Sequence, residues 1–312
     1  MLKERENMRL VTRSDFDGLV CGVLLVEHGI VHSYKFVHPK DIQDGKVDID
    51  GNDVLANVPF VSECGLWFDH HASEHERFKR ATVFNGATYP ASSAAQVIWD
   101  YYGGERTFGQ RLRPLLDAVN RSDSGQVTRE EILNPSGWIL LSFVMDPRTG
   151  LGRFSDYRIG NLKLMEDMIQ YCRTKDVVEI LELPDVKQRT ARYFEQQELF
   201  KDMLLENSRA EGNIIVVDLR PCEPMYSGNR FLIYALYPDQ NIEVRAMWGR
   251  ERQNVVITCG HSIINHTSRT NVGRLMLKYG GGGHERVGTC QIPTEKADVV
   301  FPEIVAAIKA DG

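Results

Sequence analysis

Two short clusters in the first quarter of the chain contain residue types that bind divalent metal ions. They are Asp15-Phe16-Asp17-Gly18 and Asp69-His70-His71, and each follows an apolar run typical of a β-strand. Oxygen-rich sites with one or two imidazoles suit Mn²⁺ or Mg²⁺, and such ions activate water and bind phosphoryl oxygens. Taken alone, Asp-x-Asp-Gly also fits a turn or a helix cap. The two clusters together, followed by Asp123, indicate metal-assisted hydrolysis of a phosphoester.

The N-terminal half alternates apolar runs with longer periodic segments. Strands are predicted at 8–12, 34–37, 54–58 and 66–68, and helices at 18–27, 92–102 and 111–120. This order is typical of an α/β fold with a parallel sheet. Ligands of parallel sheets gather at the carboxyl ends of the strands. Six side chains are predicted to project there: Asp15, Asp17, Asn57, Asp69, His70 and His71.

At 312 residues the chain exceeds the size at which single cores usually divide, so two domains are expected. We predict an α/β domain at 1–157, a helical connector at 158–211 and a smaller α/β domain at 212–312. Within the connector, Val186, Tyr193 and Phe200 are spaced by sevens. This spacing favours a core helix over a dimerising coiled coil, because the heptads are few.

Composition excludes several classes of partner. A net charge of −6 argues against a protein that coats long duplex DNA through a broad basic face. The six cysteines are scattered and contain no Cys-x-x-Cys pair, which favours reduced thiols and a cytoplasmic location. The first residues are charged, and no apolar run is long enough to span a bilayer. We therefore expect a soluble protein with no membrane partner.

A run of four glycines, Gly280 to Gly283, precedes His284 near the C-terminus. It lies between a predicted helix at 271–279 and a predicted strand at 287–292. Glycine backbones adopt positive φ and allow close approach of a ligand, so a phosphate or a base could bind there, with His284 and Arg286 in reach. The alternative is a flexible linker.

Four residues near these motifs are given other roles. We expect Asn271 to cap its helix, and Trp67 and Trp99 to lie in the core. We do not expect His75 to bind a metal ion.

The order of these motifs resembles that of the DHH/DHHA1 phosphoesterase superfamily. The residues that carry the resemblance are Asp15-Phe16-Asp17-Gly18, Asp69-His70-His71, Asp123 and the glycines that end at His284. That superfamily includes RecJ-type exonucleases, nano-RNases, cyclic dinucleotide phosphodiesterases and exopolyphosphatase-like proteins. The resemblance covers essentially the whole chain. It implies that 1–157 is a DHH domain, that 212–312 is a substrate-binding DHHA1 domain, and that the active site lies in the cleft between them.

Two positions depart from the family pattern. Members usually carry a metal-binding histidine two residues before the first aspartate, where this chain has Arg13, and a bridging aspartate where it has Asn57. An arginine is a permanent cation that cannot bind a metal. The carboxylates of Asp15, Asp17 and Asp123 set against one guanidinium leave two negative charges, which one divalent ion balances.

We therefore expect Arg13 to pair with Asp15 and to take the electrostatic place of the first metal ion. Asp17, His70 and Asp123, with help from Asn57, would then hold a single Mn²⁺ or Mg²⁺ ion.

The resulting prediction is a metal-dependent phosphoesterase for short phosphodiester or phosphoanhydride substrates, such as an oligoribonucleotide, a cyclic dinucleotide or a nucleotide. In it, Arg13 polarises the phosphoryl group, His71 contacts the phosphate and Asp69 orients the neighbouring imidazole. The predicted substrate-binding residues are Arg269, Gly281, Gly282, Gly283, His284 and Arg286. One alternative is a weakened or inactive nucleotide- or anion-binding protein of the same fold, and a second is an exopolyphosphatase. A homodimer is possible.

Overall fold

A computed structural model of the chain describes residues 7–71 and 83–312. His75 lies outside the described residues. The chain divides into two compact units. The N-terminal unit comprises Met1–Gln126 and Pro135–Arg192, and the C-terminal unit comprises Val127–Asn134 and Tyr193–Gly312.

The first two thirds of the described chain contain six strands and ten helices. In chain order they are β1 (Met8–Arg13), α1 (Phe16–Glu27), β2 (Val31–Val37), α2 (Pro39–Gln43), β3 (Asp53–Ala56), β4 (Leu66–Asp69), β5 (Gly86–Thr88), α3 (Ala94–Tyr101), α4 (Glu105–Phe108), α5 (Arg113–Asp123), α6 (Arg129–Leu133), α7 (Gly137–Met145), α8 (Asn161–Thr174), α9 (Val177–Glu182), α10 (Pro184–Glu206) and β6 (Ser208–Glu211).

The remaining elements belong to the C-terminal unit. They are β7 (Ile214–Asp218), α11 (Leu232–Leu236), β8 (Ile242–Trp248), β9 (Asn254–His261), α12 (Val272–Leu277), β10 (Gly282–Gly283), β11 (Val287–Pro293) and α13 (Thr294–Asp311).

The N-terminal unit is built on a five-stranded sheet in the order β2-β1-β3-β4-β5. Every neighbouring pair in it is parallel, so the predicted α/β class and parallel sheet are confirmed. Strands β1 and β3 are almost wholly buried, as expected for central parallel strands that are covered on both faces. Trp67 on β4 and Trp99 on α3 are both buried in the core, as predicted.

The C-terminal unit has a six-stranded sheet in the order β10-β11-β9-β8-β7-β6. Only β7 and β8 pair in parallel; the other neighbours are antiparallel. Its core contains apolar side chains of β7, β8, β9 and β11 together with residues of α12 and α13. The second domain is therefore also α/β, but with a mixed sheet.

Three helices occupy the segment predicted as a connector. Of these, α8 packs against α1 in the N-terminal unit, and the division between the two units falls inside α10, after Arg192. The side chains of Val186, Tyr193 and Phe200 on α10 are buried, as the core-helix interpretation requires. The described residues contain no helix that is both long enough and apolar enough to cross a bilayer.

Gly18 allows the first turn of α1 to lie against the end of β1. A Cβ atom at this position would lie 2.0 Å from the carbonyl oxygen of Arg13 and 2.7 Å from Oγ1 of Thr12. Because the first of these atoms belongs to the backbone, neither a rotamer change nor a small shift can relieve the overlap.

We therefore expect Gly18→Ala to lower the free energy of unfolding by about 1–3 kcal/mol, the usual cost of overpacking a buried site. Gly160→Ala is the control, because a Cβ there meets no atom within 4 Å. Urea denaturation of both variants measures the difference. Equal stability of the two variants would show that the start of α1 tolerates a side chain.

Candidate active site

The carboxyl edge of the parallel sheet brings together the side chains predicted there. Arg13 is the last residue of β1, Asp15 caps α1 directly after it, and Asn57 follows β3. Asp69 is the last residue of β4, with His70 and His71 next in the chain. Asp123, the last residue of α5, approaches the same place, since its Oδ2 lies 3.4 Å from His70.

The Asp15 carboxylate is buried and surrounded by donors. Its Oδ1 accepts hydrogen bonds from the Gly18 amide at 2.9 Å and from Nδ2 of Asn57 at 3.1 Å. Its Oδ2 lies 3.0 Å from Nε of Arg13. Burial raises the pKa of Asp15, and the guanidinium of Arg13 opposes that rise. The ion pair expected between Arg13 and Asp15 is therefore present in the structure.

Asn57 has an unusual backbone conformation, with φ at +56°. Asparagine is one of the few residues that tolerate this left-handed region. Its backbone N–H donates to the carbonyl of Phe68, and its side-chain amide donates to Asp15. Its hydrogen bond thus goes to Asp15, whereas the sequence suggested that it would assist Asp17, His70 and Asp123.

The second buried carboxylate is that of Asp17 on α1. It contacts the N-terminus of α3. Its Oδ2 accepts from the amide of Ala94 and its Oδ1 from the amide of Ala95, both at 2.9 Å. Two amides of a helix N-terminus therefore fix the orientation of this carboxylate and favour its charged form. Burial nonetheless raises the pKa of Asp17 to about 7, against the opposing effect of His70. Cys21, one turn further along α1, approaches Oδ1 of Asp17 at 3.8 Å.

His70 points one ring nitrogen at two carboxylates. Its Nδ1 lies 3.2 Å from the carbonyl oxygen of Ala91, and because a carbonyl can only accept, Nδ1 carries the proton. Nε2 then lies 3.4 Å from Oδ2 of Asp123 and 3.7 Å from Oδ2 of Asp17. This buried nitrogen makes no hydrogen bond to any part of the chain that the structure describes.

The surroundings of this nitrogen show whether a metal ion fits the site. One ligand atom each from Asp17, His70 and Asp123 lies within 4.8 Å of the others. A nitrogen that faces two carboxylate oxygens at these distances is satisfied by its own proton or by a metal ion, and the donor set suits Mn²⁺ or Mg²⁺. Asp69, His70 and His71 form a second such group, but Asp69 and His71 are already bonded to each other. The first group is therefore the better candidate for a metal site.

His71 is oriented by Asp69. Its Nδ1 lies 2.8 Å from Oδ1 of Asp69, which is buried, whereas 43% of the His71 side chain is exposed. The hydrogen bond to Asp69 raises the pKa of His71. The arrangement places a partly exposed imidazole, held by Asp69, next to His70 in the chain.

Two contributors to the site were missed in the sequence. The N-terminus of α3 is one, and Ser93-x-x-Gln96 could have located it, because Ser93 accepts from the Gln96 amide as a helix cap. Arg148, which pairs with Asp146 at 2.8 Å, is the other. Burial lowers the pKa of Arg148, but Asp146, with smaller contributions from Asp15 and Asp123, outweighs burial and raises it. No sequence pattern marks Arg148.

The glycine run of the C-terminal unit is an ordered turn that leads into β11, not a flexible linker. A Cβ at Gly281 would lie 2.1 Å from the carbonyl oxygen of Thr289, and one at Gly283 would lie 2.2 Å from that of Val287. The amide of Gly281 donates to Met276 and that of His284 donates to Val287.

Close chain packing thus explains the need for glycine at Gly281 and Gly283. Gly282 pairs with Thr289 in the sheet. His284, Arg269 and Arg286 are exposed, and their part in substrate binding stays a prediction. Asn271 caps α12 by accepting from the Arg274 amide, as predicted.

Comparison with solved structures finds similar proteins, one of them with high sequence identity over nearly the whole chain. A pGpG-specific phosphodiesterase, PggH from Vibrio cholerae, is 47% identical, with a TM-score of 0.86 over 98% of this chain and 100% of its own. The DHH domain of a protein assigned to a family of ribosomal proteins is 14% identical, with a TM-score of 0.55 over 97% of this chain and 86% of its own. RecJ from Thermus thermophilus in complex with Mg²⁺ is 15% identical, with a TM-score of 0.48 over 99% of this chain and 50% of its own. No family model and no curated protein matched.

The parallel sheet, the two acidic clusters at its carboxyl edge and the extensive match define the class. The chain belongs to the DHH/DHHA1 phosphoesterase superfamily.

The hydrogen bond between Asn57 and Asp15 generates a prediction about stability. In Asn57→Asp a second carboxylate replaces the amide that donates to buried Asp15. We expect the free energy of unfolding of the metal-free protein to fall by about 1–3 kcal/mol at pH 8, because a donor is lost and two like charges meet. Repulsion raises the pKa of the pair in the folded state, so the loss should shrink as the pH falls and one carboxyl binds a proton.

Denaturation in the presence of a chelator, at pH 8 and at pH 5.5, measures this effect. Asn52→Asp is the matched control, because Asn52 is exposed, and it should change stability by no more than about 0.5 kcal/mol. If Asn57→Asp is as stable as the control at both pH values, the amide of Asn57 does not support the Asp15 charge.

Proposed function

We propose that this protein hydrolyses short phosphodiesters, with a 5′-phosphorylated dinucleotide such as pGpG as the first candidate, and that it does so with one divalent ion. The observation that carries the proposal is the cluster of Asp17, His70 and Asp123, in which a buried imidazole nitrogen faces two carboxylates. The pGpG-specific activity of the 47% identical relative supports the choice of substrate. The net charge of −6 agrees with a small ligand held locally rather than a long duplex.

The roles of the residues follow from their contacts. Asp17, His70 and Asp123 would hold Mn²⁺ or Mg²⁺, which supplies a water of lowered pKa and polarises a phosphoryl oxygen. Asp17 is fixed for this role by the amides of Ala94 and Ala95. His70 is fixed by its Nδ1 proton on the Ala91 carbonyl, which keeps Nε2 free to act as a ligand.

Two cations complete the proposed mechanism. His71, held by Asp69 with a raised pKa, can pair with a phosphoryl oxygen and give a proton to the nucleoside oxygen that leaves when its bond to phosphorus breaks. Arg13 neutralises Asp15 through an ion pair that needs no metal ion. With Asp15 neutralised in this way, one divalent ion is sufficient for the remaining carboxylates.

The decisive experiment is hydrolysis of pGpG to GMP in the presence of Mn²⁺, followed by chromatography. Asp123→Asn should lower kcat/KM by more than the ~10–100-fold typical of losing a residue that only orients a ligand. Asp117→Asn is the matched control, because Asp117 lies on the same helix and is paired with Arg113 on the surface. It should retain full activity.

The results also separate the proposal from its alternatives. If wild-type protein binds pGpG but releases no GMP, the enzyme proposal is wrong and the chain is a nucleotide-binding protein. The enclosure of Asp15 by Arg13 and Asn57 favours that second candidate, because the family usually has a metal-binding histidine and an aspartate at these positions. Faster cleavage of short polyphosphate than of pGpG would point to an exopolyphosphatase instead.

The number of metal ions is tested by restoring the family pattern. Wild-type protein should bind one tight equivalent of Mn²⁺ in calorimetric titration. The double variant Arg13→His, Asn57→Asp should bind a second, because an imidazole and a carboxylate replace two groups that donate to Asp15. Arg106→His with Asn52→Asp is the control, since both positions are exposed, and it should bind one equivalent. Two tight equivalents in wild-type protein would reject the idea that Arg13 takes the place of an ion.

A further inference from the structure

A second feature of the N-terminal unit lies next to the candidate active site. A cavity of about 800 Å³ opens at the carboxyl ends of β1 and β2, a volume within the range of small-molecule sites. The residues of its lining that matter here are Arg13, Lys35, His38, Asp41, Lys46 and Arg148. None of them belongs to the three-residue cluster proposed to hold the metal ion.

The lining contains more basic than acidic side chains, in a chain of net charge −6. Arginines and lysines contribute four positive charges and Asp41 contributes one negative charge. Three of the cations already have carboxylate partners: Arg13 pairs with Asp15, Lys46 with Asp44 and Arg148 with Asp146. Lys35 is different, because none of the carboxylates in the described part of the chain forms an ion pair with it. It is therefore the cation most available to a bound anion.

Arg13 links the cavity to the buried carboxylate of Asp15. The parallel register sets Arg13 opposite Val37, which also lines the cavity, and the same guanidinium contacts Asp15. A ligand that occupies the cavity therefore contacts Arg13, the residue that forms the ion pair with Asp15. A cavity of this size is much larger than a single phosphate needs, so it has room for a nucleoside as well.

We propose that this cavity binds the terminal nucleotide of the substrate and selects for a free terminal phosphate, with Lys35 as the residue that determines this specificity. The inference rests on the proposed function and adds the form of substrate. A phosphate monoester carries about −1.5 to −2 charges at pH 7, more than the single charge of a bridging diester. An unpaired lysine therefore discriminates between a dinucleotide that ends in a phosphate and one that ends in a hydroxyl.

The side chains around Lys35 are suited to the two parts of such a ligand. Arg148 and Lys46, although paired with aspartates, line the same cavity, and Phe36 and Pro147 offer apolar surface to a sugar or a base. His38 is held by its own contact, because its Nδ1 accepts from the Lys40 amide. Its ring therefore has a fixed orientation at the entrance to α2.

The test compares pGpG with GpG, which lacks the terminal phosphate. Wild-type protein should have the higher kcat/KM for pGpG. In Lys35→Met, which keeps an unbranched apolar stem, the ratio of the two kcat/KM values should fall about tenfold or more, as expected for the loss of a charged hydrogen bond, mainly through a higher KM for pGpG. Lys40→Met is the matched control: Lys40 lies on α2, pairs with Asp44 and does not line the cavity. It should leave the ratio unchanged.

Equilibrium binding separates the failure of this inference from the failure of the proposed function. Calorimetry in the presence of a chelator measures pGpG and GpG affinity without turnover. If neither dinucleotide is hydrolysed but pGpG binds more tightly than GpG to wild-type protein and not to Lys35→Met, the proposed function is wrong and the cavity assignment stands. An unchanged ratio in Lys35→Met, in kinetics and in binding, overturns it. Tighter binding of tripolyphosphate than of pGpG overturns the nucleoside part of the assignment.

Discussion

Two carboxylates with little access to water, Asp15 and Asp17, impose the main constraint on this molecule. They lie two positions apart at the start of α1 and are 5% and 2% exposed. A buried carboxylate is costly unless donors or cations compensate its charge. The arrangement of β1, β3, β4 and α3 around this turn can be understood as the supply of those compensating groups.

The two carboxylates are compensated in different ways. Asp15 accepts hydrogen bonds from an amide of its own helix and from the Asn57 side chain, and it forms an ion pair with Arg13. All three partners are parts of the protein. Asp17 accepts hydrogen bonds from two amides of α3 and faces Nε2 of His70. Groups of the protein thus compensate the charge of Asp15, whereas a cation fits between Asp17, His70 and Asp123. If Arg13 replaces a metal-binding histidine at one half of a binuclear centre, the other half keeps its donors, Asp17, His70 and Asp123.

Much of the N-terminal unit could be predicted from sequence because its strands are short apolar runs and its acidic residues come directly after them. The rule that parallel strands end at the same edge was sufficient to place Asp15, Asn57 and Asp69 together. What could not be predicted depends on contacts between residues far apart in the chain. The amides of Ala94 and Ala95 reach Asp17 across more than seventy positions, and Arg148 approaches from a short turn that has no distinctive pattern.

The C-terminal unit shows a different limit. Strand and helix alternation predicted an α/β domain there, but alternation alone does not distinguish parallel from antiparallel neighbours, and the sheet is mixed. The glycine run was interpreted through the freedom of its backbone. The structure adds a steric reason, since side chains at Gly281 and Gly283 would overlap β11.

Cys21 lies beside Asp17, and its surroundings affect its chemistry. Burial, together with Asp17 and Asp15, raises the pKa of this thiol well above its usual value. Such a thiol resists loss of its proton, and the thiolate is the form that oxidants, alkylating agents and soft metals attack. The sulfur beside the two carboxylates is therefore unreactive, and the donors that remain for an incoming ion are carboxylate oxygens and an imidazole nitrogen.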